Sequence, residues 1–187
     1  MTAGIPRSAA LILIDLQRAI DDPSWGLRNN PGAEHTGEAV LRAWRESGRA
    51  VYHVRHDSVE PRSTYRPGQS LHDFKPEFAP LRDEPVVGKH TSSAFVGTDL
   101  AERMATGCHE MLVAFGVITN NSVEATVRHA GCLGLRVLLV EDACWTFAKR
   151  DWRGVVRSAD EVHAMSLANL DGEYCTVVTA AEVVAGL

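Results

Sequence analysis

The chain has 187 residues, 45% of them apolar and 23% charged, with a net charge of -5 and a pI near 5.9. That size fits one domain over residues 1–187 with a full hydrophobic core, and interspersed charges of acidic balance give no electrostatic basis for binding nucleic acid or an anionic membrane. No apolar run approaches the roughly 18–20 residues that cross a bilayer, and the start, Met1-Thr-Ala-Gly-Ile-Pro-Arg-Ser8, is too short and polar for a secretory signal, so a cytoplasmic protein is expected.

The first predicted element, Ala9 to Asp15, is a near-continuous apolar run closed by a carboxylate. Unbroken hydrophobicity rather than alternation suits a central parallel strand covered on both faces. Asp21 to Gly32 is rich in turn formers and reads as a loop. From Ala33 to Gly48 the pattern is helical, with Val40, Leu41 and Trp44 on one face, and Ala50 to Arg55 is the second strand. His56 to Glu84 is broken by Pro61, Pro67, Pro76 and Pro80, a length of loop that commonly serves a site. Pro85 to Lys89 is a short third strand. Asp99 to Ala105 is a short helix with Thr98 as its expected N-cap.

Met111 to Phe115 and Arg136 to Val140 are the fourth and fifth strands, flanking a helix from near Asn121 to Gly131 or Gly134. A helix over Ala159–Leu170, a sixth strand over Tyr174–Val178 and a closing helix over Ala180–Ala185 complete the chain. Strands alternating with helices predict an α/β fold, a three-layer α/β/α sandwich around a six-stranded, mainly parallel, Rossmann-like sheet. Sites in such sheets lie beyond the carboxyl ends of the strands.

Three polar features sit at such ends. Asp15 follows the first strand and Lys89 closes the third, while the turn Thr119-Asn-Asn-Ser122 leads from the fourth strand into a helix. At a helix start, free backbone N–H groups and the positive end of the dipole favour an anion. Each feature alone has a plainer reading: a carboxylate capping local backbone, a solvated lysine, a serine satisfying helix donors. Their joint placement is what suggests chemistry. The cysteines, Cys108, Cys132, Cys144 and Cys175, show neither C-x-x-C spacing nor a partner histidine, and read as small buried hydrophobes, with Cys144 set apart by its place after a strand.

Four separated segments then carry a resemblance. Leu13-Ile-Asp-Leu-Gln17, Lys89 followed by Ser93-Ala-Phe-Val-Gly-Thr98, Gly116-Val-Ile-Thr-Asn-Asn-Ser-Val-Glu-Ala-Thr126, and Val140-Glu-Asp-Ala143 together resemble the isochorismatase-like cysteine hydrolase superfamily, in its order and over nearly the whole chain. The resemblance implies a catalytic triad of aspartate, lysine and cysteine, carried onto Asp15, Lys89 and the position of Ser122. In that family the thiolate attacks an amide carbonyl, the aspartate handles the thiol proton and later activates water, and the lysine stabilises charge. The resemblance further implies a non-proline cis peptide at Val117–Ile118 and an oxyanion hole from the N–H groups of Ile118 and Ser122. It implies a homodimer or homotetramer, and no cofactor.

The departure is Ser122. A thiol with a reference pKa of about 8.5 is readily brought to thiolate, whereas a hydroxyl needs a well-placed base. Three accounts arise: a Cys→Ser variant made to trap substrate, a natural member with slower or different chemistry, or a non-catalytic binder. The first fits best, because the surrounding residues still match a cysteine-bearing template. An isochorismatase-type enol-ether hydrolase, which needs no cysteine, is the rival enzyme reading.

The partner is a small molecule. Gln17, Trp25, Arg28, Asn29, Asn30, Tyr65, Arg66, Trp145 and Phe147 are candidates to line its pocket, the arginines hinting at a carboxylate or carbonyl-rich substrate. His53, His56 and Asp57 invite a metal, but positions three apart on a strand face opposite ways, so no metal is expected. His90, His129 and His163 have no partner pattern and read as structural.

Overall fold

The computed structural model describes residues 4–187, so the first three residues of the Met1–Ser8 start lie outside it. Strands β1 (Ala10–Ile14), β2 (Ala50–His56), β3 (Val86–Lys89), β4 (Met111–Gly116), β5 (Arg136–Val140) and, at the far edge, Thr176–Val178 form one sheet. All five pairings in that sheet are parallel. A two-stranded antiparallel hairpin, β6 (Lys149–Arg150) and β7 (Val156–Arg157), stands apart, which makes the Thr176–Val178 strand β8. Helices α1 (Ala33–Glu46), α2 (Leu100–Thr106), α3 (Glu124–Cys132), α4 (Ala159–Ala168) and α5 (Ala180–Ala185) complete the elements. Among the described residues no helix is long and apolar enough to cross a membrane.

The strand order is β3-β2-β1-β4-β5-β8. Chain progression runs one way from β1 to β3 and the other way from β4 onward, so the order reverses between β1 and β4. In open parallel sheets the crevice at such a reversal is where ligands bind. Every residue of β1 and β4 is buried, as their unbroken apolar runs require when both faces are covered. Trp44 and Phe78 are fully buried, and Phe78 packs edge-on against Phe115 at 6.0 Å between ring centroids.

Several boundaries differ from the sequence reading. Asp99, not Thr98, precedes α2, and its side chain makes no cap bond. Thr98 instead donates from Oγ1 to Ala94 O at 2.5 Å and accepts from Leu100 N at 3.3 Å, stitching the preceding turn. The helix expected from Asn121 begins as a wide π-type turn over Thr119–Val123 before α3 proper. Two capping boxes, Ser158 with Glu161 and Thr179 with Glu182, set the starts of α4 and α5. The β6–β7 hairpin was not foreseen: each strand has only two residues, too few to show alternation. Cys108 and Cys132 are exposed, against the expectation of four buried cysteines, while Cys144 and Cys175 are buried.

Gly116 lets β4 approach β1 at the crevice. It has φ 145 and sits opposite Ile14, where an added Cβ would lie 2.1 Å from Ile14 O. No rotamer relieves a clash with backbone, so Gly116→Ala is expected to cost roughly 3 kcal/mol, at the upper end of overpacking. Urea unfolding reads this directly, and an unchanged midpoint would show that the two strands are free to separate.

Candidate active site

Asp15, one residue beyond β1, has φ 55, a left-handed conformation that aspartate tolerates better than most residues. Its N–H donates to Val54 O at 3.0 Å and its carbonyl accepts from Gln17 N at 2.8 Å. The turn thereby directs the carboxylate into the crevice, where it is 3% exposed. Lys89, at the end of β3, reaches it across β2, with Nζ 2.7 Å from Asp15 Oδ2. The same ammonium donates to Thr91 O at 3.1 Å and to Ser122 Oγ at 3.2 Å, and lies 3.5 Å from His56 Nδ1. Three strand ends thus deliver Asp15, Lys89 and Ser122 to one point.

Burial raises the Asp15 carboxyl above the ordinary aspartate range, and the pull of Lys89, the Ser122 hydroxyl and His56 only partly offsets it. Asp15 Oδ1 is buried with no hydrogen-bond partner among the described residues. A carboxylate oxygen without a protein partner at the cavity wall is a ready proton acceptor.

The Ser122 turn is braced from behind. The Val117–Ile118 peptide is cis. Thr119 N donates to Trp145 O at 3.0 Å, Thr119 Oγ1 bonds His163 Nδ1 at 2.9 Å, and Ser166 Oγ lies 3.1 Å from Thr119 O. Helix α4 therefore holds the residue from which the turn departs. Among the described residues Ile118 N–H donates to no protein acceptor, leaving it available to an incoming oxygen.

A cavity of about 290 Å³ opens at this point, lined by Asp15, Ser122, Val117, Ile118 and Asn121 on the sheet side. Ile20 and Trp25 from the first loop and Ser63 and Tyr65 from the second close it, with His56, His90, Thr91 and Ser92 beside β2 and β3. The two loops are tied together. Lys75 Nζ bonds both carboxylate oxygens of Asp21 at 2.6 Å, and Tyr65 OH donates to Asp15 O at 3.4 Å.

Of the expected lining residues, Trp25 and Tyr65 are in the wall and the others are not. Gln17 is fully buried and spans the loops: its Nε2 donates to His72 O at 2.8 Å and His56 O at 3.2 Å, and its Oε1 accepts from His56 N at 2.8 Å. Arg28 turns away to Glu34, bonding Oε1 at 2.6 Å, and lies 4.5 Å over the Trp145 ring. Asn30 donates to Glu141 O and Cys144 O at 3.0 and 2.7 Å, and Asn29 accepts from Thr146 N at 2.8 Å. Trp145 is fully buried beneath the turn, and Phe147 stacks behind Trp25 at 5.4 Å. Arg66 is exposed and outside the wall, so neither arginine lines the cavity.

The histidines also sort differently. His53 points to Glu84 Oε2 at 2.8 Å while His56 turns to Lys89, the divergence that strand alternation requires. His90 lines the cavity rather than serving only structure, whereas His129 pairs with Ser93 Oγ at 3.0 Å. Polar residues at the ends of β2 and β3 were the signal that could have found His56 and His90. Cys144 is fully buried and its thiol is pushed up to about 12 by burial, so it supplies no substitute nucleophile.

A parallel sheet with an acid, an ammonium and a hydroxyl meeting at its reversal point defines a hydrolase-type site. The isochorismatase domain matches residues 9–182, and the chain belongs to the isochorismatase family of hydrolases. It is 34% identical over 175 residues to the uncharacterized isochorismatase family protein YrdC of Bacillus subtilis, covering 94% of each chain. A crystal structure of an isochorismatase-family protein from Chromobacterium violaceum shares 56% identity and superimposes with a TM-score of 0.95, covering 100% of this chain and 98% of that one. A cysteine hydrolase from Pseudomonas syringae, 24% identical over 98% of this chain and 94% of its own, shares the fold at a TM-score of 0.87.

The Gln17 carboxamide contacts generate a prediction. Gln17→Leu keeps the volume but leaves the His56 N–H and two carbonyls without a partner, which should cost about 1–3 kcal/mol. Chemical denaturation measures it; a loss under about 0.5 kcal/mol would mean that water replaces the carboxamide.

Proposed function

We propose that this fold and site serve hydrolysis of a C–N bond in a small amide, ureido or carbamoyl substrate, with position 122 as the nucleophile site, Asp15 as the base and Lys89 as the charge-stabilising partner. The observation that carries the reading is the convergence of Asp15 and Ser122 on Lys89 Nζ, at 2.7 Å and 3.2 Å. A substrate carbonyl placed against Ser122 has the Ile118 and Ser122 N–H groups as oxyanion donors. Asp15 takes the nucleophile's proton, returns it to the departing nitrogen, and then activates water against the acyl intermediate.

The geometry suits a thiolate better than an alkoxide. One ammonium shared between a carboxylate and the nucleophile can hold a thiolate near neutral pH, but a hydroxyl starts far less acidic. The chain as it stands is therefore impaired, a serine occupying the family's cysteine position. The enol-ether reading gains from the absence of a thiol. It loses on the wall, because among the described residues no arginine lines the cavity to pair with the carboxylates of such a substrate.

Ser122→Cys is expected to raise amide hydrolysis by at least about 100-fold, since nucleophile identity dominates such sites. Ammonia release across simple amides, ureides and carbamoyl compounds measures it, and no release by the cysteine form would remove the main support. The pH profile carries a second expectation. Asp15 must be ionised to accept the proton and its carboxyl sits above the ordinary value of 3.8, so kcat/KM should rise with pH through a limb displaced above 3.8. A limb at or below that value would reassign the base.

A further inference from the structure

The cavity wall contains two ring systems whose hydrogen-bonding sense is set by their neighbours. His56 is held by its backbone, both N–H and C=O being bonded to Gln17, and its ring stands edge-on to Tyr65 at 5.7 Å between centroids. Its Nδ1 lies 3.5 Å from Lys89 Nζ. The three N–H groups of that ammonium go to Asp15, Thr91 and Ser122, so His56 takes no full hydrogen bond from it, but a cation 3.5 Å away favours the lone pair over an N–H at Nδ1. In the neutral imidazole the proton then sits on Nε2, which makes no hydrogen bond to the described residues. Burial and the Lys89 charge both push the ring toward the neutral form.

His90 has the opposite sense. Its Nδ1 is 2.7 Å from Asp57 O. A carbonyl can only accept, so Nδ1 carries the proton and Nε2 of the neutral ring is an acceptor. The anchor is firm. Asp57 N donates to Lys89 O at 2.8 Å, and the Asp57 carboxylate is held by Arg55 Nε at 2.8 Å and His72 Nε2 at 2.7 Å. The other polar lining groups beyond the catalytic residues are the hydroxyls of Ser63, Tyr65, Thr91 and Ser92 and the Asn121 amide. Hydroxyls of serine and threonine rotate to suit either sense, so the two histidines and the Asn121 amide are the wall's directional features.

We propose that His56 and His90 are specificity-determining residues that read a second carboxamide on the substrate, His56 donating from Nε2 to its oxygen and His90 accepting at Nε2 from its N–H. This rests on the amide-hydrolase reading of the same cavity. The scissile carbonyl goes to Ile118 and Ser122, so these histidines meet whatever lies beyond it. A carboxamide offers an acceptor and a donor together; a carboxylate offers acceptors only, and an alkyl group neither. The preferred substrate class is therefore a small, uncharged molecule with two amide-like groups.

The test uses the Ser122 chain unaltered and reads binding by chemical-shift titration. Malonamide, with two carboxamides, should bind about tenfold more tightly than butyramide or malonamate, the contribution of one or two neutral hydrogen bonds. His56→Phe and His90→Phe should each bring the three affinities to within about threefold of one another. Long-range nitrogen spectra of the unaltered protein should show His56 protonated at Nε2 and His90 at Nδ1. Equal or undetectable binding of the three probes, or either ring in the other tautomer, would overturn the proposal. A Ser122→Cys chain that binds malonamide preferentially yet hydrolyses no amide would sink the hydrolase reading and leave the recognition pair standing.

Discussion

The fully buried ammonium of Lys89 is the constraint on which the rest of this structure depends. An isolated buried charge of that kind costs several kcal/mol even after relaxation. It persists because acceptors converge on it from separate parts of the chain: Asp15 beyond β1, Thr91 beyond β3, and Ser122 beyond β4. Removing any one leaves a cation short of a partner, so the strand ends must arrive in register. That requirement explains Gly116, whose missing side chain lets β4 close on β1, and the left-handed turn at Asp15, which aims the carboxylate sideways into the crevice.

The same lysine also touches the polar wall of the cavity. Its ammonium lies 3.5 Å from His56 Nδ1, and its backbone carbonyl accepts from Asp57 N, whose own carbonyl holds the ring of His90. The ion pair at the strand ends and the setting of two rings in the cavity wall thus share one buried residue. This economy has a structural cost. Asp15 Oδ1 has no partner and its carboxyl is shifted upward, so the folded chain retains at its centre a polar atom that a purely structural design would have satisfied.

How much of this was legible in the sequence follows from where the information resides. The sheet was readable because β1 and β4 are covered on both faces, and the apolar runs Ala10–Ile14 and Met111–Phe115 have no other soluble use. The polar residues that break those runs marked the site, and Asp15, Lys89 and Ser122 do meet. The loop residues were not readable. Gln17, Arg28 and Asn30 sit where lining residues were expected, but their side chains are consumed by His56, Glu34 and the Glu141–Cys144 turn, partners that only the folded path of the loops brings near. Trp145 looked like an apolar wall and is instead the floor under the Thr119 turn, since its carbonyl is needed there. His90 carried only the signal of a polar residue just past β3, because the orientation of its ring is set by the Asp57 carbonyl, a partner that only the folded chain brings near.

The serine at position 122 can be placed on this framework by asking what each neighbour would do for a thiol. A sulfur there would lie beside an ammonium and near a carboxylate whose raised pKa makes it a stronger proton acceptor than an ordinary aspartate. Proton transfer from a thiol to such a base in a dry site exchanges one buried anion for another beside the same cation, so little electrostatic energy changes hands. For a hydroxyl the exchange is steeply uphill, because the upward shift at Asp15 does not bridge the gap to an alkoxide. The surroundings of Ser122 are thus matched to a nucleophile more acidic than serine by many orders of magnitude. What stands around the serine itself is a cavity, an Ile118 N–H with no protein acceptor among the described residues, and a hydroxyl held 3.2 Å from Lys89.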